Sequence, residues 1–263
     1  MALPLSSLVL LAPLAAGFLL WAGSQKALWR PLAPRHTLMA PGLDAALYAT
    51  ALFVFTPALL STLVPSTGDT VLHGAVASFA SNLLLIPLCF GLWRLRGRLF
   101  PWGQVSMIRG LGVTLMAMFT LFPLVYLGAE INREWALALG ISTPHPMLEY
   151  LRHPQTSPKA FAFVSLGVCL AVPLAEELLF RGLWQGAVLK VLGLPASLFL
   201  PSLLFALVHP AETCLPMFVF ALGLGFLAHL SSSVLPGMLL HIMFNGLSIV
   251  DVGLYRFGFP WPV

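Results

Sequence analysis

The sequence predicts an all-α fold, a polytopic bundle of about eight transmembrane helices. Of its 263 residues, 59% are hydrophobic and 8% charged, against about 25% charged in an ordinary soluble domain. So few charges cannot cover a water-facing surface, and lipid must be the solvent for much of the chain. Apolar runs recur at the length of about 20 residues that crosses a bilayer. The sparse Lys and Arg gather in short connections, where topology-setting residues belong.

Taken in order, the spans fall near residues 4–22, 44–64, 71–93, 107–128, 159–190, 196–209, 214–230 and 235–250. The first run, Leu3 to Trp21, has no basic residue before it, and Lys26 comes only after it. It reads as a retained span rather than a signal peptide. The fifth is too long for one vertical helix and contains Pro173, so it is kinked, tilted or split. The sixth is short and is stopped by Pro210. A hairpin turning near Leu192–Pro195 would join the fifth and sixth and bring Glu177 and His209 to the same depth. The stretch from Glu130 to Lys159 is the most polar connection and reads as an ordered or semi-ordered loop. Trp29, Trp93, Trp102 and Trp261 lie near span ends and read as interfacial anchors. These features divide the chain into N-terminal spans (1–130, about four), a polar loop (131–158) and a C-terminal core (159–263).

The formal net charge of +4 sits in loops, with no alternation of basic and aromatic residues, so no nucleic-acid partner is expected. Cys89, Cys169 and Cys214 stand singly in or beside apolar runs and read as small buried side chains. Lys26, Arg30 and Arg35 follow the first span, and Arg94, Arg96, Arg98 and Arg109 follow the third. Alternating spans put both groups on one side, which the positive-inside rule makes cytoplasmic.

Glu176 and Glu177 are the exception to the pattern of acids in loops. They stand in Ala-Val-Pro-Leu-Ala-Glu-Glu-Leu-Leu-Phe-Arg-Gly, far from either end of an apolar helix. One acidic residue at a span's centre costs about 2.5–3.5 kcal/mol on insertion scales. Glu177 and Arg181, four apart, can pair on one face. Glu176 points about 100° away. A buried ion-pair cluster that fixes packing accounts for Glu177 and Arg181. It leaves Glu176 without a partner in its own helix. His209 ends the sixth span. His241 and Asn245, four apart, share a face of the last span, either as interhelical hydrogen-bond partners or as part of a site.

Glu-Glu-x-x-x-Arg at 176–181, Phe-x-x-x-His at 205–209 and His-x-x-x-Asn at 241–245 together resemble the three motifs of the CPBP family. That family contains the CAAX prenyl endopeptidases of the Rce1 type and many bacterial intramembrane proteases. The resemblance covers about the last hundred residues and makes 159–263 a CPBP-like catalytic core with its active site in an intramembrane cavity. It implies that Glu176 activates water, assisted by His209, that His241 and Asn245 stabilise the oxyanion, and that Glu177 and Arg181 support the site. The implied chemistry is sound. Desolvation makes a carboxylate a better base near neutral pH, and an oxyanion donor is worth about a hundred- to a thousandfold in rate.

The resemblance implies no cofactor. Two His and a carboxylate also suit a catalytic zinc, although no His-Glu-x-x-His is present, so zinc is the minority alternative. The expected partners are the lipid bilayer and a membrane-embedded or lipidated peptide or protein substrate. The expected location is a bacterial cytoplasmic (inner) membrane, with multiple passes. Two other functions stay open: a non-catalytic accessory or immunity protein that keeps the fold, and an ion- or proton-coupled transporter.

Overall fold

Hydrocarbon offers no partner for backbone N–H and C=O groups, so a spanning segment must satisfy them internally, and a helix does so. The computed structural model describes residues 42–65, 68–95, 107–140 and 146–259. Among these, every regular element is helical. The first predicted span, 4–22, lies outside the described residues, as do Trp29, Trp102 and Trp261. The elements are α1 (Leu43–Leu63), α2 (Thr70–Leu95), α3 (Met107–Ala138), α4 (Pro146–Arg152), α5 (Pro158–Leu166), α6 (Val172–Glu177), α7 (Gly186–Leu207), α8 (Cys214–Ser231) and α9 (Leu235–Arg256). Two π-helical stretches, Gly167–Ala171 and Leu178–Gln185, join α5, α6 and α7 into one continuous rod.

Among the described residues, six stretches are long and apolar enough to cross a membrane, and one of them, Pro158–Leu207, is 50 residues long. It folds at Gly193, whose φ of 80° and ψ of −176° suit only a residue without a Cβ. Pro195 follows, with no N–H to carry the preceding helix onward. This is the hairpin expected near Leu192–Pro195, and it lays Phe205 against Phe180, ring centroids 5.2 Å apart.

The kink expected at Pro173 takes the form of the first π-helical stretch. The Val172 N–H reaches back five residues to Gly167 O. In that register the next carbonyl, Val168 O, calls for an N–H on residue 173, which proline lacks.

Glycines set the close approaches. A Cβ on Gly167 would stand 2.2 Å from the Phe79 ring of α2, and one on Gly223 of α8 would stand 2.3 Å from Leu121 of α3. Small residues at such contacts let helices pack by van der Waals attraction, the force left when lipid removes the hydrophobic one. Helix α9 runs antiparallel to the long rod: Gly237 lies beside Glu177 and Gly253 beside Phe161. At its far end Arg256 donates to the carbonyls of Leu151, His153, Pro154 and Thr156, fastening the link between α4 and α5.

Two expectations are corrected. Trp93 is not an interfacial anchor: it is 1% exposed and packs in the main core with Leu178, Leu179, Phe180 and Leu183, reaching the rod where Gly182 has no side chain. The polar connection is largely helical. Helix α3 continues to Ala138, and α4 occupies Pro146–Arg152. The charges of this helical extension pair with one another, Arg133 with Glu130 at 2.9 Å and with Glu134 at 2.8 Å.

Candidate active site

Glu176 lies midway between Pro158 and the fold at Gly193, about 26 Å from either at 1.5 Å per residue. It is 5% exposed, Glu177 0%, Arg181 2% and His241 4%. Glu177 is the hub. Its Oε1 accepts from Arg181 Nη1 at 2.9 Å and from His241 Nδ1 at 3.1 Å. Arg181 spends a second N–H on Ala221 O of α8, 3.1 Å away, and rests its guanidinium 4.7 Å from the Phe205 ring centroid. An ion with this many partners at low exposure is fixed in place.

The Nδ1–H of His241 is committed to Glu177, so the other ring nitrogen is oriented. Nε2 lies 3.8 Å from Glu176 Oε2, too far for a direct hydrogen bond. That Oε2 is buried and has no hydrogen-bond partner among the described residues, and the same holds for Glu177 Oε2. The latter oxygen sits 3.1 Å from where a Cβ on Gly237 would be, so the glycine leaves the space it occupies.

His209 follows α7, half-buried. Its Nδ1 donates to Phe205 O at 2.7 Å. A carbonyl can only accept, so Nδ1 carries the proton and Nε2 is left with a free lone pair. The His209 and Phe205 rings lie 4.6 Å apart, and Phe205 also meets His241 edge-on at 5.8 Å. His209 therefore borders the network through Phe205, and it is the half-open member of an otherwise closed group. Asn245 is turned elsewhere: its Nδ2 donates to Val168 O at 2.8 Å. That is the carbonyl orphaned by Pro173, which the side chain satisfies with one of its two N–H bonds.

The six sequence-derived residues thus separate by contact. Glu176, Glu177, Arg181 and His241 form one cluster, His209 joins across an aromatic ring, and Asn245 stands one helical turn from His241 on α9. Two further residues complete the frame. Gln185, one turn beyond Arg181, donates to Gly225 O at 2.7 Å, one turn beyond Ala221. The two side chains make a ladder onto α8, and the i, i+4 spacing from Arg181 was the signal for it. Asn132 of α3 bonds on both sides of the turn after His209. Nothing in its local sequence announces that.

A hollow of about 1030 Å³ lies apart from this cluster, among Asp69, Tyr150, Arg152, His153 and Tyr255. Two of its charged residues are already engaged. Arg152 pairs with Asp251 at 3.3 Å, and Asp69 accepts from the amides of Val71 and Leu72. Burial and the adjacent Asp69 carboxylate raise the Tyr150 phenol above its ordinary pKa. Among the described residues, no group of three or more His, Cys, Asp and Glu is arranged to hold a metal.

The cluster offers a desolvated carboxylate oxygen without a partner, an imidazole oriented toward it, and a second imidazole with a free lone pair at the open edge. That set can take up and pass on protons in a water-poor setting. No curated protein and no solved structure matches the chain. Residues 158–247, a stretch that holds all six site residues, match the model of the Rce1-like type II CAAX prenyl endopeptidases.

Proposed function

We propose that this integral membrane protein is an intramembrane endopeptidase that hydrolyses a peptide bond in a membrane-embedded or lipid-modified substrate, with Glu176 as the general base. The observation that carries the reading is the partnerless, buried Glu176 Oε2 facing an imidazole whose far nitrogen is tied to Glu177. An ionisable residue inside a span is by default a functional-site candidate.

In the proposed step, Glu176 accepts a proton from a water as the water oxygen attacks the peptide carbonyl. The carbonyl oxygen becomes the oxyanion. A base must stand within hydrogen-bond reach of the proton it removes, so the step requires the substrate water to enter between Glu176 Oε2 and His241 Nε2, 3.8 Å apart. An N–H on His241 Nε2 would serve as an oxyanion donor. Asn245 keeps one N–H for the same purpose. His209, with Nε2 free, serves Glu176 by receiving or returning the proton. The proton on Glu176 finally goes to the leaving amine as the C–N bond breaks. No cofactor enters this scheme.

Helix α2 and the rod run parallel, Phe79 beside Gly167 and Trp93 beside Gly182. Arg94 and Lys190 therefore stand at one end of the bundle, which by the positive-inside rule is the cytoplasmic one. We propose a bacterial cytoplasmic membrane as its location, by resemblance to the bacterial intramembrane proteases.

The test compares membrane-protein termini by mass spectrometry in cells carrying wild-type, Glu176→Gln or His209→Ala protein. New termini that vanish in both variants support the reading. Termini unchanged in Glu176→Gln would sink it.

A further inference from the structure

The turn that presents His209 is held from outside its own helices. Helix α8 begins at Cys214, and its N-cap residue, Thr213, makes no side-chain cap. The Thr213 hydroxyl instead donates back to Pro210 O at 2.9 Å. The first amides of a helix have no partner within it. Here Leu215 N–H finds Asn132 Oδ1 of α3, 3.0 Å away. The same amide group returns a bond, Nδ2 to Ala211 O at 3.2 Å. Asn132 is 7% exposed and both bonds are partly buried, so leaving its amide unpaired is costly. One turn earlier on α3, Gly128 lets the helix approach, since a Cβ there would meet Pro216 Cα at 3.3 Å. Glycine and asparagine thus work on one face, the first for closeness and the second for bonding. The two bonds bracket the 3₁₀ turn Ala211–Thr213, which follows directly on His209 and Pro210.

We infer that Asn132 is a positioning residue for His209: through its paired bonds to Ala211 and Leu215, helix α3 sets where the imidazole stands. The inference rests on the proposed role of His209 for its catalytic consequence, but not for its structural content. It assigns a task to α3, outside the matched stretch 158–247. It also ties the placement of His209 to the packing of α3 on α8, so any movement of α3 is felt at the site.

The experiment separates the two readings. Diethyl pyrocarbonate acylates neutral imidazole, and mass spectrometry of purified protein in detergent reports its rate at each histidine. In Asn132→Leu, which removes both bonds at similar volume, His209 should react several-fold faster while His241 and His73 stay at wild-type rates. Asn132→Asp keeps the acceptor for Leu215 and loses the donor to Ala211, so it should fall between. That milder variant decides the matter if Asn132→Leu does not fold. Where cleavage is measurable, kcat should drop about tenfold with KM within about twofold, as expected of a small misplacement. Unchanged His209 reactivity in a folded variant overturns the inference, whether or not the protein cleaves anything. A wild-type protein without activity, but with the reactivity change, overturns only the protease reading.

Discussion

The Nδ1 of His241 stands 3.1 Å from Glu177 Oε1, the same oxygen that accepts from Arg181 at 2.9 Å. Through this one atom a charge pair within the rod is joined to an imidazole on α9. It divides the labour between two adjacent glutamates. Glu177 is engaged twice through Oε1, by Arg181 and by His241, while Glu176 meets His241 only at 3.8 Å; the Oε2 of each glutamate has no partner among the described residues.

That division predicts opposite phenotypes. Glu177→Ala leaves a buried guanidinium uncompensated and should lower stability by about 3–5 kcal/mol. Glu176→Ala removes an unsatisfied carboxylate and should leave stability near wild type or above it, while ending activity. Thermal unfolding in detergent orders the two. In Glu177→Ala/Arg181→Ala, with both charges gone, the loss should be smaller than the sum of the single losses, since the pair is coupled. Equal destabilisation by the two glutamate variants would contradict the division.

Gly237 gives a second, finer probe. A Cβ there stands 3.1 Å from Glu177 Oε2 and 3.9 Å from Leu224 Cδ2. Gly237→Ala presses on the carboxylate without removing any charge, and the displacement passes through Oε1 to His241. We expect a folded protein whose cleavage rate falls about tenfold, in line with small misplacements at reacting groups. Gly246→Ala, in open space on the same helix, is the control and should cleave at the wild-type rate.

The zinc alternative meets a specific obstacle. A metal that recruited Glu177 Oε1 would share it with a guanidinium, a fixed positive charge 2.9 Å away. Cleavage should therefore persist after prolonged treatment with a strong chelator, and purified protein should hold no stoichiometric zinc by elemental analysis. Loss of activity on chelation, restored by zinc, would overturn the glutamate scheme.

Much of this was legible in the sequence because helices have a fixed period. Glu177–Arg181 and His241–Asn245 are i, i+4 pairs, and the hairpin turn is marked by Gly193 and Pro195 within an apolar run. The pairing of α3 with α8 was not legible. Asn132 and Ala211 lie 79 positions apart, and which polar residue in a long helix meets which distant carbonyl depends on register, which local pattern does not encode. Trp93 misled for a related reason. A tryptophan near a span end resembles an anchor until Gly182, on another helix, opens a place for it in the core. Asn245 sits between these cases. Its face on α9 followed from spacing, but its contact with Val168 depends on a π-helical stretch that Pro173 induces.

That last dependence yields a prediction able to separate structure from catalysis at Asn245. Asn245→Ala orphans Val168 O, and a buried unsatisfied carbonyl costs about 1–3 kcal/mol. In Pro173→Ala the chain regains an N–H at 173, which Val168 O can take in the π register. The stability cost of Asn245→Ala should then shrink to well under half its value in the wild-type background, by unfolding in detergent. Catalysis should respond differently. If the second Asn245 N–H serves the oxyanion, as proposed, kcat stays low in Asn245→Ala/Pro173→Ala although stability returns. A recovery of kcat along with stability would assign Asn245 to holding the rod, leaving His241 as the oxyanion donor.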